Sequence, residues 1–503
     1  MALNHFKKPP PYVLASMLCS ANGILFGMDT GVIGPVTDMK DFKASFGGSQ
    51  NATIHGLIVS SILIPAALSS FFAGHLADKL GRPKGISIGV FIFGIGAAIE
   101  AAAISLGMFI AGRVIEGVGE GFFLEGTLVV YIAEISPTST RGMLTTGPQL
   151  LITAGIMTGY FTCYGCSGIK SSLSWRTPFI LLASLSMALC AATSFLLPPS
   201  PRWLILHGRR QEAEQAWDKL GVSNAEREKV ELQSERVEVA APTNTSQIRE
   251  TVRETTEVSK PNVIDKLLDI FSKDVRSRTA LVVFMMGMQQ LSGIDGVLYY
   301  APLLFQQAGL ASSEASFFAS GISALVIFCV TIPGLLFADK WGRRGSVIYG
   351  GVGLGTVMFL IGGLYAGNAV HGTSGAGRWM VIVAIYIFAV IYSMTWAVSI
   401  KIYVPEIHPS RTRASATTLG HSSNWIANFL VALTTPILLA KSSFGAYFLF
   451  GGCSILTAAV CAAFMHETKG RSLNEIEEAF KHNASGRKNP FSLLRRQIVQ
   501  STA

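Results

Sequence analysis

The chain has 503 residues, half of them hydrophobic and 14% charged, with a mean hydropathy of +0.44. This balance excludes a soluble globular protein and defines a polytopic membrane protein. The net charge of +9 sits in loops between apolar stretches, so it reports topology and excludes a nucleic-acid-binding role. No metal-ligand spacing, nucleophile elbow or phosphate loop is present, so neither a cofactor nor an enzyme is expected.

Apolar stretches near or above the roughly 20 residues needed to cross the hydrocarbon layer run at 13–35, 55–77, 86–106, 109–132, 143–165 and 176–197. The first follows Lys7, Lys8 and three prolines; it is too long and too glycine-rich for a cleaved signal peptide and is expected to stay in the mature protein. From 198 to 278 the hydropathy drops and charges crowd in, as in Arg209-Arg210-Gln211-Glu212. Short interfacial helices are expected there, with a looser Thr- and Glu-rich stretch near 240–260. Six further stretches follow at 279–305, 316–338, 346–366, 379–404, 415–440 and 444–465. The expectation is an all-α membrane protein of twelve transmembrane helices in two six-helix halves, 1–197 and 279–465, with a cytoplasmic helical linker, 198–278, and a cytoplasmic tail, 466–503.

With the N-terminus placed inside, cytoplasmic termini and short loops hold 18 of the 40 Lys and Arg residues, the linker 14 and the outer loops 6. That asymmetry predicts both termini in the cytoplasm, most naturally at a plasma membrane. The two left over, Arg113 and Lys401, fall inside spans. Of seven cysteines, Cys163 and Cys166 are the one close pair; a disulfide is allowed there, but small residues at helix contacts are the favoured reading. The sequon at Asn51 falls in an outer loop, where glycosylation is allowed. Those at Asn244 and Asn483 are expected to be cytoplasmic and silent.

One hexapeptide occurs twice, Ala77-Asp78-Lys79-Leu80-Gly81-Arg82 and Ala338-Asp339-Lys340-Trp341-Gly342-Arg343, at an offset of 261 residues. A second pair of matches, Glu134-Ile135-Ser136-Pro137 with Arg141 and Glu406-Ile407-His408-Pro409 with Arg413, has an offset of 272. The duplication predicts two homologous halves, a binding site between them near the midplane and alternating access by rocking. A charged turn between helix ends can act as a latch. Asp78, Arg82, Glu134 and Arg141 are expected to meet within the first half when the cytoplasmic side is closed, and Asp339, Arg343, Glu406 and Arg413 within the second.

Further motifs occur in order: Gly27-Met28-Asp29-Thr30-Gly31-Val32-Ile33-Gly34, Gly112-Arg113-Val114, Pro198-Pro199-Ser200-Pro201-Arg202-Trp203-Leu204, Gln289-Gln290-Leu291-Ser292-Gly293-Ile294-Asp295 with Tyr299-Tyr300, and Glu467-Thr468-Lys469-Gly470-Arg471-Ser472-Leu473. With the two turns, these make the chain resemble the sugar porter family of the major facilitator superfamily over nearly its whole length. The resemblance implies that Asp29 and Arg113 couple transport to protons, passive members tending to carry asparagine at the aspartate position. Helix direction independently puts the two side chains at similar depth, where each offsets the other's cost of burial. Glu116 and Glu120 fall on nearly the face of Arg113 and are read as its local partners, Glu125 points away, and Glu100 has no assigned partner.

The resemblance further implies that Gln149, Gln289, Gln290 and Asn424 supply the bifunctional amides a sugar needs, with Tyr299, Tyr300, Trp425 and Asn428 as neighbouring candidates. Three departures from the family pattern stand out. Asp295 replaces a usual asparagine, Ile327 takes the span 8 asparagine position, and Ala397-Val398 and Lys401 replace the span 10 Gly-Pro and tryptophan. An internal Asp295–Lys401 pair is favoured, because either charge alone is costly. In the alternative, Lys401 receives a carboxylate on the substrate and Asp295 grips a polyol. The expected activity is import of a sugar, polyol or cyclitol with a proton, by a monomer in the bilayer. A facilitator, an exporter and a transporter-like nutrient sensor are the alternatives.

Overall fold

Twelve helical stretches occupy the expected positions among the residues that the structure, a computed structural model, describes: 9–47, 51–137, 140–224, 226–228, 269–272, 274–310, 313–337, 340–371, 375–409 and 412–470. Ten are long and apolar enough to cross a bilayer: Pro11–Asp38, Ala52–Leu80, Arg82–Ala101, Leu173–Leu196, Arg276–Tyr299, Ala315–Phe337, Arg343–Ala366, Ala376–Glu406, Ser415–Lys441 and Gly445–Phe464. The other two are span 4, which runs from Leu106–Phe123 through a π-helical turn, Leu124–Leu128, into Val129–Ile135, and span 5, Gly147–Cys166. Both are less apolar because of what they carry: Arg113, Glu116 and Glu120 in span 4, and Gln149 with several threonines in span 5. Two linker helices, Pro201–Leu206 and Arg210–Leu220, pack together through Trp203, Leu204, Ala213 and Ala216.

Three spans are interrupted, each beside polar groups. Span 1 pauses at Asn22, whose amide donates to the Cys19 carbonyl (3.0 Å) and to Thr193 Oγ1 (3.3 Å). Span 7 breaks at Gly293, whose φ of +88° favours glycine; a Cβ there would also lie 2.5 Å from the Phe450 ring. Span 10 breaks at Thr395. Interrupted helices of this kind supply irregular backbone where a transporter lines its cavity.

Close helix contact within the first half rests on small residues. Gly27 and Gly31 of span 1 meet the backbone of span 5 so closely that a Cβ would lie 1.9 Å from the Ile152 carbonyl oxygen or 2.3 Å from that of Ile156. Gly155 and Gly159 reciprocate against span 1. Cys163 donates to the Val32 carbonyl across the same contact (3.7 Å), and both Cys163 and Cys166 are free thiols, in line with small residues at helix contacts.

The two halves meet firmly at one end. Gln306 Nε2 donates to Asp38 Oδ2 (2.5 Å), and the Tyr160 hydroxyl donates to the Leu298 carbonyl. Tyr300 stands edge-on to His55 (5.1 Å between ring centroids), Gly34 lies against the Tyr299 carbonyl, and Gly56 lies against that of Leu433. The other end, which carries the duplicated turns and the linker helices, is called the basic end below. Gly27→Leu is expected to separate spans 1 and 5 and to destabilise the protein by about 1–3 kcal/mol. Thermal unfolding in detergent would show this as a clearly lowered midpoint, whereas an unchanged midpoint would mean that the contact is not made.

Candidate functional site

Between the halves lies a cavity of about 90 Å³, space for several water centres. Eight of the ten residues expected to bind substrate line it: Gln149, Gln289, Gln290, Asp295, Lys401, Asn424, Trp425 and Asn428. Tyr299 stands behind the wall, its hydroxyl accepting from Asn428 Nδ2 (3.5 Å). Tyr300 is turned away, because its hydroxyl donates to the Ala432 carbonyl (2.6 Å) within the contact that closes the halves. The lining also includes Phe26, Thr30, Thr153, Thr331, Tyr392 and Ser393, which sequence reasoning missed. A helical-period signal pointed to some of them: Thr153 is one turn from Gln149, and Ser393 two turns from Lys401.

The amides are ordered by one another. Gln290 Nε2 donates to Asn424 Oδ1 (3.1 Å), Asn424 Nδ2 to Gln289 Oε1 (3.2 Å) and the Met286 carbonyl (2.9 Å), and Gln289 Nε2 to the Trp396 carbonyl at the span 10 break (2.9 Å). Three buried polar atoms of lining residues are left without a hydrogen-bond partner: Gln290 Oε1, Asn428 Oδ1 and Trp425 Nε1. Each is costly unless a guest completes it. Two acceptors and one donor on the wall of one cavity fit a hydroxyl-bearing ring. Phe26 meets Trp425 edge to face at 5.9 Å, joining the halves at the cavity wall.

Asp295 and Lys401 face this cavity within electrostatic reach of each other. Among the described residues, however, the ion pairs of 4.0 Å or less do not include this one. The favoured internal pair is therefore not formed as a contact. Lys401 Nζ instead donates to Gln149 Oε1 of the other half (3.3 Å).

Beside the cavity, Arg113 is fully buried, and its Nη1 donates to Asp29 Oδ1 (2.5 Å) while Nη2 donates to the Val59 carbonyl (3.3 Å). Glu116 Oε2 is 3.5 Å and Glu100 Oε2 3.9 Å from Nη1, and both glutamates are fully buried. Glu100, left without a partner by sequence reasoning, is thus part of this cluster. Spans 3 and 4 approach closely enough for this because Gly96 packs on Glu116 and Gly112 on Glu100. Glu120 is buried one turn further on, toward Tyr299. The side chain of Glu125 lies outside the described residues. Three carboxylates share one guanidinium, an excess of acid that a dry site holds by taking up protons.

At the basic end, Arg82 bonds Asp78 and reaches Glu134 (3.3 Å), while Trp203 Nε1 donates to the Asp78 carbonyl (2.7 Å). In the second half Arg343 pairs with Glu406 (3.3 Å), and Glu467 accepts the backbone N–H groups of Arg343 (2.9 Å) and Arg344 (3.1 Å), capping span 9. Asp339 lies outside the described residues. Arg141 donates to the Ser136 carbonyl (3.4 Å) and Arg413 to that of His408 (3.2 Å). Asn51 caps span 2, accepting from the Ile54 N–H (2.9 Å), and is exposed. Asn244 and Asn483 lie outside the described residues.

Twelve spans in two halves around a polar cavity define a secondary transporter of the major facilitator type. A family model described as sugar (and other) transporter matches residues 15–480, and the chain belongs to that family. It is 29% identical to a high-affinity glucose transporter of Kluyveromyces lactis over 94% of this chain and 85% of that one. It is 30% identical to the probable metabolite transport protein CsbC of Bacillus subtilis, over 93% of this chain and 94% of that one. Its fold superposes on the inward-open xylose transporter XylE from E. coli with a TM-score of 0.74 at 22% identity, covering 93% of this chain and 99% of the other.

His408, buried just after span 10, is pushed down to about 4 by burial first and then by the charges of Arg278 and Arg413. A folded value below the unfolded one of about 6.5 means that the unfolded chain binds the extra proton. Stability is therefore full above about pH 6.5 and falls as pH drops toward 4, at a slope approaching about 1.4 kcal/mol per pH unit. Thermal midpoints of the wild type and His408→Gln across this range should diverge, with the variant showing the flatter profile.

Proposed function

We propose that the chain imports a sugar, polyol or cyclitol together with a proton across the plasma membrane, with both termini in the cytoplasm, and that it works as a monomer. The observation that carries the substrate class is the set of three unpartnered buried atoms, Gln290 Oε1, Asn428 Oδ1 and Trp425 Nε1, on the wall of one cavity. Hydroxyls of a polyhydroxylated ring can complete all three. The names of relatives, which include glucose transporters and a galactose transporter of Saccharomyces cerevisiae, point the same way. With the basic end in the cytoplasm, the contact between the halves closes the outside and the cavity faces inward. Rocking about this contact supplies alternating access; the Arg82–Glu134 and Arg343–Glu406 pairs are formed with the basic end open, so they brace each half and are not a latch peculiar to the state closed at that end. Asn51, exposed at the outer end of span 2, is the glycosylation position.

Proton coupling is assigned to Asp29. Its bond to Arg113 is made when it is ionised and weakened when it is protonated, so one proton changes what holds span 1 to span 4. One proton moving through about 100 mV contributes roughly 2.3 kcal/mol, enough for about fifty-fold accumulation.

The test is uptake of a panel of sugars, polyols and sugar acids into proteoliposomes, with and without an imposed pH gradient. Wild type should accumulate its substrate when the gradient is present, and Asp29→Asn should only equilibrate it. Accumulation that ignores both the gradient and the substitution would sink the symport reading and leave a facilitator. Asn428→Ala should raise the half-saturating concentration about tenfold, the worth of one buried hydrogen bond to the substrate; an unaltered value would remove Asn428 from the binding site.

A further inference from the structure

Resting on the assignment of proton coupling to Asp29, we propose that Glu100 and Glu116 form a second proton-binding site, a carboxyl pair that shares a proton and takes over as counter-ion of Arg113 whenever Asp29 is protonated. Coupling at Asp29 poses a problem of charge. A guanidinium does not give up its proton, so a proton arriving at Asp29 removes the carboxylate that Arg113 Nη1 bonds. Arg113 has no exposed surface, and a lone charge in such a place is expensive. Asp29 is therefore free to take a proton only where another carboxylate stands within reach of the arginine.

Glu116 Oε2 lies 3.5 Å and Glu100 Oε2 3.9 Å from the same Nη1. Asp29, Glu100 and Glu116 each bring an oxygen within 4.8 Å of the other two, so the counter-charge has a short distance to pass. Both glutamates are wholly buried, and two carboxylates so close, away from water, do not both ionise. Among the described residues none of their four oxygens accepts a hydrogen bond, although the two carboxyl groups are in hydrogen-bonding contact with each other. A proton on one supplies the missing donor, and the other stays a carboxylate facing Arg113. Around the pair, span 1 brings Asp29 and span 2 the Val59 carbonyl, while Arg176 of span 6 is held on the Ala101 and Ala103 carbonyls. Glu120 lies one turn beyond Glu116, toward Tyr299. Packing fixes the two glutamates in place, since a Cβ on Gly112 would lie 2.6 Å from Glu100 Cγ and one on Gly96 2.5 Å from the Glu116 nitrogen.

The experiment takes the full chain in detergent for thermal unfolding and in proteoliposomes for uptake. Asp29→Asn leaves Arg113 the glutamate pair, and Glu100→Gln with Glu116→Gln leaves it Asp29, so each set should fold and lower the midpoint only slightly. All three substitutions together leave the guanidinium without a carboxylate in reach. They should prevent folding or lower the midpoint by at least about 5 °C more than the two separate shifts combined. Additive shifts overturn the inference, as does failure of the paired glutamine variant to fold, because Asp29 alone should balance Arg113 there. Infrared difference spectra at neutral pH should show that the paired variant loses the carbonyl stretch of a protonated carboxyl, which Asp29→Asn keeps; an unchanged band overturns the shared proton. In uptake the folded paired variant should only equilibrate the substrate, while either glutamine alone, which spares one stand-in carboxylate, should still accumulate it under a pH gradient. Accumulation by the paired variant equal to wild type overturns this inference and leaves coupling at Asp29 standing. A wild type that ignores the gradient overturns both.

Discussion

A guanidinium wholly excluded from solvent inside a helix bundle is the constraint around which the first half is built. Arg113 has no exposed surface, and such a charge persists only where oxygen surrounds it. Span 1 brings Asp29, span 2 the Val59 carbonyl, span 3 Glu100 and span 4 Glu116. Four helices thus converge on one side chain. The glycines that let them approach, Gly96 and Gly112 among them, follow from that convergence.

The duplicated turns show how pseudo-symmetry is kept where the sequence does not repeat. In the first half the turn is held by Trp203 of the motif after span 6, which donates to the Asp78 carbonyl and packs on Gly81. In the second, Glu467 of the motif after span 12 takes the same station, capping span 9 and touching the space above Gly342. An indole and a carboxylate do different chemistry at equivalent places. Both fasten the chain that leaves the sixth helix of a half onto the turn between its second and third. Each ion pair at these turns lies inside one half, and they are formed while the halves are closed at the opposite end.

Hydropathy was enough to locate the spans, because hydrocarbon thickness leaves little freedom in helix length. The resemblance to the sugar porter family placed most of the cavity wall, through Gln149, Gln289, Gln290 and Asn424. What stayed illegible depended on contacts between helices far apart in sequence. Glu100 found its partner only through the packing of spans 3 and 4, which no pattern within span 3 announces. Asp295 and Lys401 were expected to neutralise each other because they are the two unusual charges of the second half. They lie within electrostatic reach of each other, but the sequence does not carry the bond that Lys401 Nζ makes to Gln149 of the other half. Tyr300 shares its dipeptide with Tyr299 yet bonds the Ala432 carbonyl, one turn along span 11 from the Asn428 that Tyr299 meets.

Span 1 is where the pieces become one device. Its glycines, Gly27, Gly31 and Gly34, follow an i, i+4, i+7 spacing and form a smooth track against span 5 and, at the closed end, span 7. On a neighbouring face Phe26 and Thr30 enter the cavity, and Asp29 points to Arg113. A side-chain-free track offers little resistance to small shifts, so the position of the helix is set by its polar attachment. Asp29 supplies that attachment, one residue from Thr30. In the proposed symport, a proton arriving at the carboxylate would weaken the bond to Arg113, and the displacement it permits would be carried by the same helix both to the cavity wall and to the seal at Gly34. Coupling of this proposed kind would need no relay across the protein, since a single helix makes all three contacts.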